Sequence, residues 1–246
     1  MRASNWLLGV GVATVALVGL DRGRADARLD ALATRVDSLA VSLTDVVAAI
    51  ESRELPPKSD TVEIGAIGYI RGNADAPITL VEFLDYECPF CQKWHAETLP
   101  TLLKEYVETG KLRLVLRDNP LPFHENAITA ARAARCVFEH GGETYWQFSE
   151  ALLQSGTSLG PQRISELAQR FGLRGAQVLD CAVSDRYDAE IQADVAAAAE
   201  AGLEGTPMFI IGPSRPDGLV RGRVIRGAYP LATFRKVLDE ALAAAS

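Results

Sequence analysis

The central part of the chain has apolar and polar positions typical of two strands with a helix between them. Ile78 to Leu84 is a compact apolar run rich in β-branched residues, and it ends at the polar turn Asp85 to Glu87. Pro89 to Thr109 has helical periodicity, which stops at Gly110. Lys111 to Arg117 then alternates between apolar and polar residues, which predicts a second strand.

The remainder predicts a helical block followed by two strands and a final helix. Between about residues 122 and 202 the chain is rich in Ala, Leu, Glu, Gln and Arg and is interrupted by glycine-containing turns, which favours several helices. Met208 to Ile211 and Arg223 to Arg226 are typical of strands, and a helix follows from Leu231. This order predicts an α/β domain over residues 64–246 with an inserted all-helical subdomain.

The amino-terminal residues have a different pattern of apolar and polar positions from the rest of the chain. An uncharged apolar stretch from Trp6 to Leu20 would span about 22 Å as a helix, less than the roughly 30 Å of a membrane's hydrocarbon core. We expect residues 1–24 to be an uncleaved membrane anchor, with a cleaved signal segment or a cytosolic apolar helix as alternatives. Because Arg22, Arg24 and Arg28 follow the stretch, charge alone does not indicate an external domain.

A heptad repeat of apolar residues follows. From Leu29 to Ile50, apolar side chains occupy both core positions of three unbroken heptads, which predicts a helical stalk over residues 25–53 that pairs two chains as a coiled coil. The alternative is a single amphipathic helix lying on the domain or on the bilayer. Residues 54–63 form a predicted linker, because Pro56 and Pro57 end the helix and polar residues follow.

Composition and charge narrow the classes of function. The chain has 246 residues, a formal net charge of −7 and no basic run, which argues against a nucleic-acid partner. Its histidines and cysteines lack the paired spacing of a structural zinc site, so we expect no metal. The sequence also lacks the glycine loops of nucleotide-binding proteins and the Gly-x-Ser-x-Gly elbow of hydrolases. The candidate chemistry therefore lies in the cysteines.

Cys88 and Cys91 form a Cys-x-x-Cys motif where the first predicted strand meets the helix. Unpaired N–H groups and the helix dipole stabilise a thiolate there, so we expect a lowered pKa for Cys88. Pro89 suits the first helical turn, where its missing N–H costs nothing. At this spacing Cys88 would attack the substrate and Cys91 would resolve the mixed disulfide. The motif alone is only moderately specific, because zinc knuckles share it.

Two segments together resemble the DsbA-like thiol-disulfide oxidoreductases of the thioredoxin superfamily. The run Val81 to Cys91 (VEFLDYECPFC) is similar to that family's active-site strand and helix, and Gly205 to Ile210 (GTPMFI) is similar to its loop with a cis-proline. The resemblance covers roughly Ile64 to Ala245, including the helical insertion. It implies a thioredoxin fold and a protein disulfide oxidoreductase without a cofactor beyond the redox-active disulfide Cys88–Cys91.

The resemblance also implies roles for residues around the cysteine pair. Glu82 would be a buried acid that relays a proton to or from Cys91. A cis bond before Pro207 would present the backbone of Thr206 to an extended substrate strand. The alternative for Pro207 is a trans proline that simply starts a strand, and the alternative for Glu82 is a strand residue that faces solvent.

The residues between the two active-site cysteines, Pro89 and Phe90, are expected to contact the substrate. The best-known oxidising member of the family has histidine in place of Phe90. Without that imidazole the Cys88 thiolate has one donor fewer, so we expect a less oxidising pair. We expect His95 to be a surface or packing residue and His124 to be a capping or packing residue.

The other two cysteines, Cys136 and Cys181, fall in the helical block. In an oxidising compartment they would form a structural disulfide within the insertion, as some members of such families do. Otherwise they are small buried core residues, and the sequence does not decide between the two.

The sequence thus predicts an enzyme that exchanges disulfides with protein thiols or disulfides outside the cytoplasm. It would be held at the cell envelope by its anchor, or be soluble in the periplasm or secreted after signal cleavage, and a redox partner would reset it. The alternatives are a disulfide reductase or isomerase that forms a homodimer through the stalk, and a redox-silent thioredoxin-fold chaperone.

Overall fold

A computed structural model describes residues 61–156 and 159–245, together with residues 29 and 32–38. The chain divides into two compact units, Met1–Glu54 and Leu55–Ser246.

In the first unit, residues 29 and 32–38 are helical, and the side chains of Leu32 and Val36 are exposed. The predicted anchor and most of the predicted stalk lie outside the described residues. Within the part of the chain that the structure describes, no helix combines the length and apolar character needed to span a membrane.

The second unit is built on a mixed sheet, whose described strands are β1 (Thr61–Gly65), β2 (Tyr69–Arg71), β3 (Ile78–Leu84), β4 (Leu112–Asp118), β5 (Met208–Pro213) and β6 (Leu219–Arg226). The strand order is β1-β6-β5-β3-β4-β2. β3 and β4 are parallel, and every other neighbouring pair is antiparallel.

The described helices of this unit are α1 (Pro89–Glu97), α2 (Leu99–Leu102), which continues into a π-helical turn (Leu103–Val107), α3 (Ala127–Phe138), α4 (Gly142–Leu153), α5 (Pro161–Arg170), α6 (Gly175–Ala182), α7 (Asp188–Glu200) and α8 (Leu231–Ala245). Helices α3 to α7 lie between β4 and β5 in the chain and form the predicted insertion. The predicted α/β architecture with inserted helices is confirmed.

Strand β3 is central in the sheet, and all seven of its residues are buried. Side chains alternate between the two faces of a strand. Leu80 and Leu84 accordingly join the larger apolar cluster, whereas Val81 and Phe83 join a smaller one. Glu82 shares the parity of Leu80 and Leu84, so its carboxylate enters the larger cluster, which also contains Cys88 and Cys91.

Some elements differ from the sequence prediction. The single helix predicted from Pro89 to Thr109 is interrupted after Glu97, because Pro100 has no N–H to continue the hydrogen-bond ladder. Strands β1 and β2 were not predicted. β1 begins at Thr61, inside the range predicted as linker, and it pairs with β6, which lies more than 150 residues later in the chain.

A buried ionic cluster attaches the insertion to the sheet. Asp194 of α7 accepts hydrogen bonds from Arg117 Nε of β4 at 2.7 Å and from Arg135 Nη2 of α3 at 2.6 Å. Arg135 Nε also donates to Asp118 of β4 at 2.7 Å. All four side chains are buried, so each charge depends on its partners.

Candidate functional site

The cysteine motif lies at the turn between β3 and α1. Cys88 caps the helix and Pro89 is its first residue. The turn is fixed by the buried carboxylate of Asp85, which accepts hydrogen bonds from the backbone N–H groups of Glu87 at 2.8 Å and Leu121 at 2.7 Å. His124 Nδ1 lies 2.8 Å from the same carboxylate. Asp85 therefore holds the active-site turn against the loop that follows β4.

Pro207 stands beside Cys88, although 119 positions separate them in the chain. The Thr206–Pro207 peptide bond is cis, as the resemblance implied. Antiparallel pairing of β5 with β3 places this loop at the end of the sheet where α1 begins, with Met208 opposite Phe83. The Cys88 thiol donates a hydrogen bond to the carbonyl of Thr206 at 3.3 Å. The loop therefore lies next to the predicted nucleophile.

The two cysteines are free thiols in very different electrostatic surroundings. Hydrogen bonding from the Cys91 thiol lowers the pKa of Cys88 to about 6, and the Thr206 hydroxyl and the first backbone N–H groups of α1 add to this effect. Burial raises the pKa of Cys91, and the charges of Cys88 and Glu82 raise it further. A thiolate at Cys88 with a protonated Cys91 behind it is the arrangement expected of an attacking and a resolving cysteine.

Behind Cys91 lies a buried acid paired with a buried histidine. Glu82 is fully buried and His95 is 4% exposed. His95 Nε2 lies 3.1 Å from both carboxylate oxygens of Glu82. Burial opposes a charge on the imidazole, but the charge of Glu82 and its hydrogen bond outweigh that effect and raise the pKa of His95. His95 is buried, as a packing residue would be, and its contact with Glu82 was not predicted.

Exposed aromatic residues flank the helix tip. The side chain of Phe90 is 61% exposed and that of Phe123 is 76% exposed. Phe123 and Pro89 line a cleft of about 310 Å³ with Glu87 and His124. Exposed apolar side chains around a reactive cysteine are suited to contact with another polypeptide. The sequence predicts substrate contact for Phe90 but gives no signal for Phe123, whose exposure depends on the loop after β4.

The remaining cysteines are joined. Cys136 of α3 and Cys181 of α6 form a disulfide. This pairing is one of the two alternatives that the sequence left open.

Within the described residues, no third His, Cys, Asp or Glu joins Cys88 and Cys91 in a group that could hold a metal ion. The arrangement can instead form and break a disulfide between the two sulfurs.

A Cys-x-x-Cys motif at a helix tip, next to a cis-proline loop on a mixed sheet with helices, defines a protein of thioredoxin fold. The chain belongs to the thioredoxin family, whose sequence model matches residues 67–239.

Individual proteins with a similar sequence or structure give more specific comparisons. The chain is 30% identical to disulfide bond formation protein D of Bacillus subtilis over 86 residues, which are 35% of this chain and 38% of that protein. It is 31% identical to part of the Na⁺/H⁺ antiporter NhaA 3 of Salinispora tropica over 151 residues, which are 61% of this chain and 22% of the antiporter. The crystal structure of α-DsbA1 of Wolbachia pipientis superposes with a TM-score of 0.65 at 22% identity, covering 80% of this chain and 97% of that one.

These comparisons confirm the predicted thioredoxin fold, and the chain is similar to disulfide bond formation protein D in sequence and to DsbA in structure. The chain spans only 38% of the length of the disulfide bond formation protein and 22% of that of the antiporter.

Proposed function

We propose that this chain oxidises the thiols of other proteins outside the cytoplasm through the Cys88–Cys91 pair. The observation that carries the proposal is the position of Cys88 at the start of α1, hydrogen-bonded to Thr206 beside the cis-proline loop, with its pKa lowered to about 6.

The reaction needs two exchanges of sulfur bonds. A client thiolate attacks the Cys88 sulfur of the oxidised pair, the Cys88–Cys91 bond breaks, and Cys91 leaves with the electron pair and takes up a proton. A second client thiolate then attacks the client sulfur of the mixed disulfide, and Cys88 leaves as a thiolate. The client is oxidised to a disulfide and the pair is reduced by two electrons. A redox partner must reoxidise the pair.

The electrostatics of the pair favour this direction. A lowered pKa stabilises the thiolate of the reduced form and makes Cys88 a good leaving group in the second exchange. A pair whose reduced form is stabilised tends to give its disulfide to other thiols. Because the side chain of Phe90 supplies no polar donor to Cys88, we expect the pair to be less oxidising than the strongest members of this class.

We assign the proton transfer at Cys91 to Glu82. The carboxylate is fully buried, and its charge acts on the Cys91 thiol. A thiolate that leaves into an apolar environment needs a proton from a nearby acid, and a buried carboxyl group can supply it.

The client would bind as an extended segment along Thr206 and Pro207. The cis bond places the backbone of Thr206 beside Cys88, where it can pair with an added strand. Pro89 and the exposed ring of Phe90 would contact the client on the other side of the sulfur.

The Cys136–Cys181 disulfide supports a location outside the cytoplasm, where such bonds persist. Residues 1–24 would anchor the chain in the membrane there, and the stalk at residues 25–53 would allow two chains to pair.

The test is the oxidation of a reduced peptide that contains two thiols by the oxidised full-length protein, followed by mass spectrometry. Cys88→Ser is expected to abolish both peptide oxidation and the covalent intermediate. Cys91→Ser, mixed with a peptide disulfide, is expected to trap a stable Cys88–peptide adduct, because the resolving thiol is absent. If Cys88→Ser oxidises the peptide as fast as the unchanged protein does, the proposal is wrong.

A further inference from the structure

We propose that His95 is a positioning residue for the proton transfer at Cys91, and that it acts by keeping Glu82 charged and oriented. This inference rests on the proposed function of the Cys88–Cys91 pair. It adds a residue that neither the motif nor the resemblance assigns.

Within the described residues, the imidazole of His95 has hydrogen-bond contacts with Glu82 only. The two Nε2 to Oε distances are both 3.1 Å, so a single ring N–H faces both carboxylate oxygens. The other ring nitrogen, Nδ1, is buried and has no hydrogen-bond partner in the described part of the chain. A proton on Nε2 therefore lies between the imidazole and the Glu82 carboxylate.

In the described structure, few charged groups other than Glu82 act on the imidazole of His95. The charges that act on His95 come from Glu82 of β3, Glu150 of α4 and Arg71 of β2. Arg71 and Glu150 lie 3.8 Å apart, are each about 30% exposed, and have opposite effects on the imidazole. They therefore largely offset each other, and Glu82 is the dominant partner.

The coupling has a chemical consequence. An isolated buried carboxylate tends to take up a proton, because burial penalises the charged form. A protonated imidazole at 3.1 Å from both oxygens favours the carboxylate form, which can accept the Cys91 proton when Cys91 attacks. In the direction of client oxidation, the proton on His95 Nε2 can pass through the Glu82 carboxylate to the departing Cys91 thiolate, which leaves the imidazole neutral. His95 acts on Cys91 through Glu82 and makes no hydrogen bond to either sulfur in the described structure.

Dithiobis(2-nitrobenzoate) separates the steps at the two cysteines in the reduced full-length protein. In the first phase the Cys88 thiolate attacks the reagent, forms a mixed disulfide and releases one thionitrobenzoate. In the second phase Cys91 gives its proton to Glu82 and its sulfur bonds to Cys88. The second thionitrobenzoate leaves with the electrons of the broken bond, so the pair is oxidised and the reagent is reduced to two thiolates.

His95→Gln keeps a hydrogen-bond donor but removes the cation. We expect this variant to slow the second phase about tenfold at neutral pH and to move its pH profile to higher pH, since the carboxylate that accepts the Cys91 proton would lose the cation beside it. The first phase should be unchanged. His140→Gln makes the same chemical change at an exposed position and should alter neither phase.

The variant Glu82→Gln tests whether His95 acts through Glu82. If His95 acts through Glu82, then His95→Gln should cause no further slowing in the Glu82→Gln background. The inference is overturned if the two changes slow the second phase independently. It is also overturned if His95→Gln leaves the second phase unchanged across about pH 5 to 9, or slows both phases equally, which would indicate general damage to the site. A missing first phase in the unaltered protein would instead refute the proposed function itself.

Discussion

At the scale of single residues, the site depends on a few contacts that set the charge of two sulfurs. Cys88 is stabilised as a thiolate by the Cys91 thiol, the Thr206 hydroxyl and the helix N–H groups, whereas Cys91 is kept protonated by burial. With a pKa of about 6, about nine in ten Cys88 side chains would be ionised at pH 7. In the proposed mechanism, Glu82 and His95 behind the pair determine where the Cys91 proton goes.

The Thr206 hydroxyl is the most accessible of these contacts to test. It is buried and has no hydrogen-bond partner in the described structure, so it is free to donate to a Cys88 thiolate. Thr206→Val keeps the shape of the side chain and removes the donor. We expect the pKa of Cys88 to rise by about one unit, since a hydrogen bond to a charged group is worth about 1.5 kcal/mol. Thiolate absorbance measured against pH reports this change. Thr61→Val, at the exposed start of β1, is the matched control, and equal titration curves for the two variants would contradict the assignment.

At the scale of secondary structure elements, the active site is made by the junction of β3, α1 and β5. The buried strand brings Glu82 and the cysteine turn together, and β5 adds the cis-proline loop through antiparallel pairing. The insertion packs against this junction, where Ser149 of α4 is hydrogen-bonded to Tyr86 at 3.1 Å. Its disulfide joins α3 to α6 across 45 residues, so we regard it as a stabilising link with no part in the exchange reaction.

The Cys136–Cys181 disulfide is expected to affect the stability of the protein without affecting the reactivity of Cys88. Closing a loop of 45 residues restricts the unfolded chain and is worth about 4 kcal/mol by chain entropy. The double variant Cys136→Ala with Cys181→Ala should therefore unfold at a clearly lower urea concentration than the oxidised protein. Its Cys88 should react with a thiol reagent at an unchanged rate. An unchanged urea midpoint would show that the link contributes nothing, and slower Cys88 reaction would show that it supports the site.

At the scale of the whole catalytic unit, helices and sheet are held together by charge as well as by apolar packing. Asp194 is placed between Arg117 and Arg135 in a region where water is excluded. Removing one charge from such a cluster leaves its partners without compensation, and this costs more than the cluster itself contributes.

Asp194→Asn tests this attachment with little change in shape. We expect a loss of about 3 kcal/mol in the free energy of unfolding, because two buried guanidinium groups would lose their shared carboxylate. Asp188→Asn lies in the same helix and breaks a bidentate ion pair with Arg132, but Asp188 is 40% exposed and the loss should stay within about 1 kcal/mol. Chemical denaturation of both variants gives the comparison, and equal losses would show that burial of the cluster does not matter.

The sequence predicted those features that depend on local pattern or on a recognisable motif. Strand β3 was predicted with its observed ends, and the cysteine turn, the cis-proline loop and the inserted helices were also predicted. The contact between Glu82 and His95 was not, because it joins a strand to a helix across 13 positions and depends on how the two pack. The three-residue strand β2 was missed for a similar reason, since its pairing with β4 decides its conformation.

The central claim is that Cys88 and Cys91 form a redox pair that donates its disulfide, and its reduction potential tests this most directly. The full-length protein would be equilibrated in graded glutathione buffers, with free thiols trapped and located by mass. We predict a potential between about −120 and −200 mV, as expected of an oxidant whose thiolate is stabilised but lacks an imidazole donor. A potential near about −270 mV would contradict the oxidising direction, and the absence of any exchange at Cys88 and Cys91 would contradict the redox function altogether.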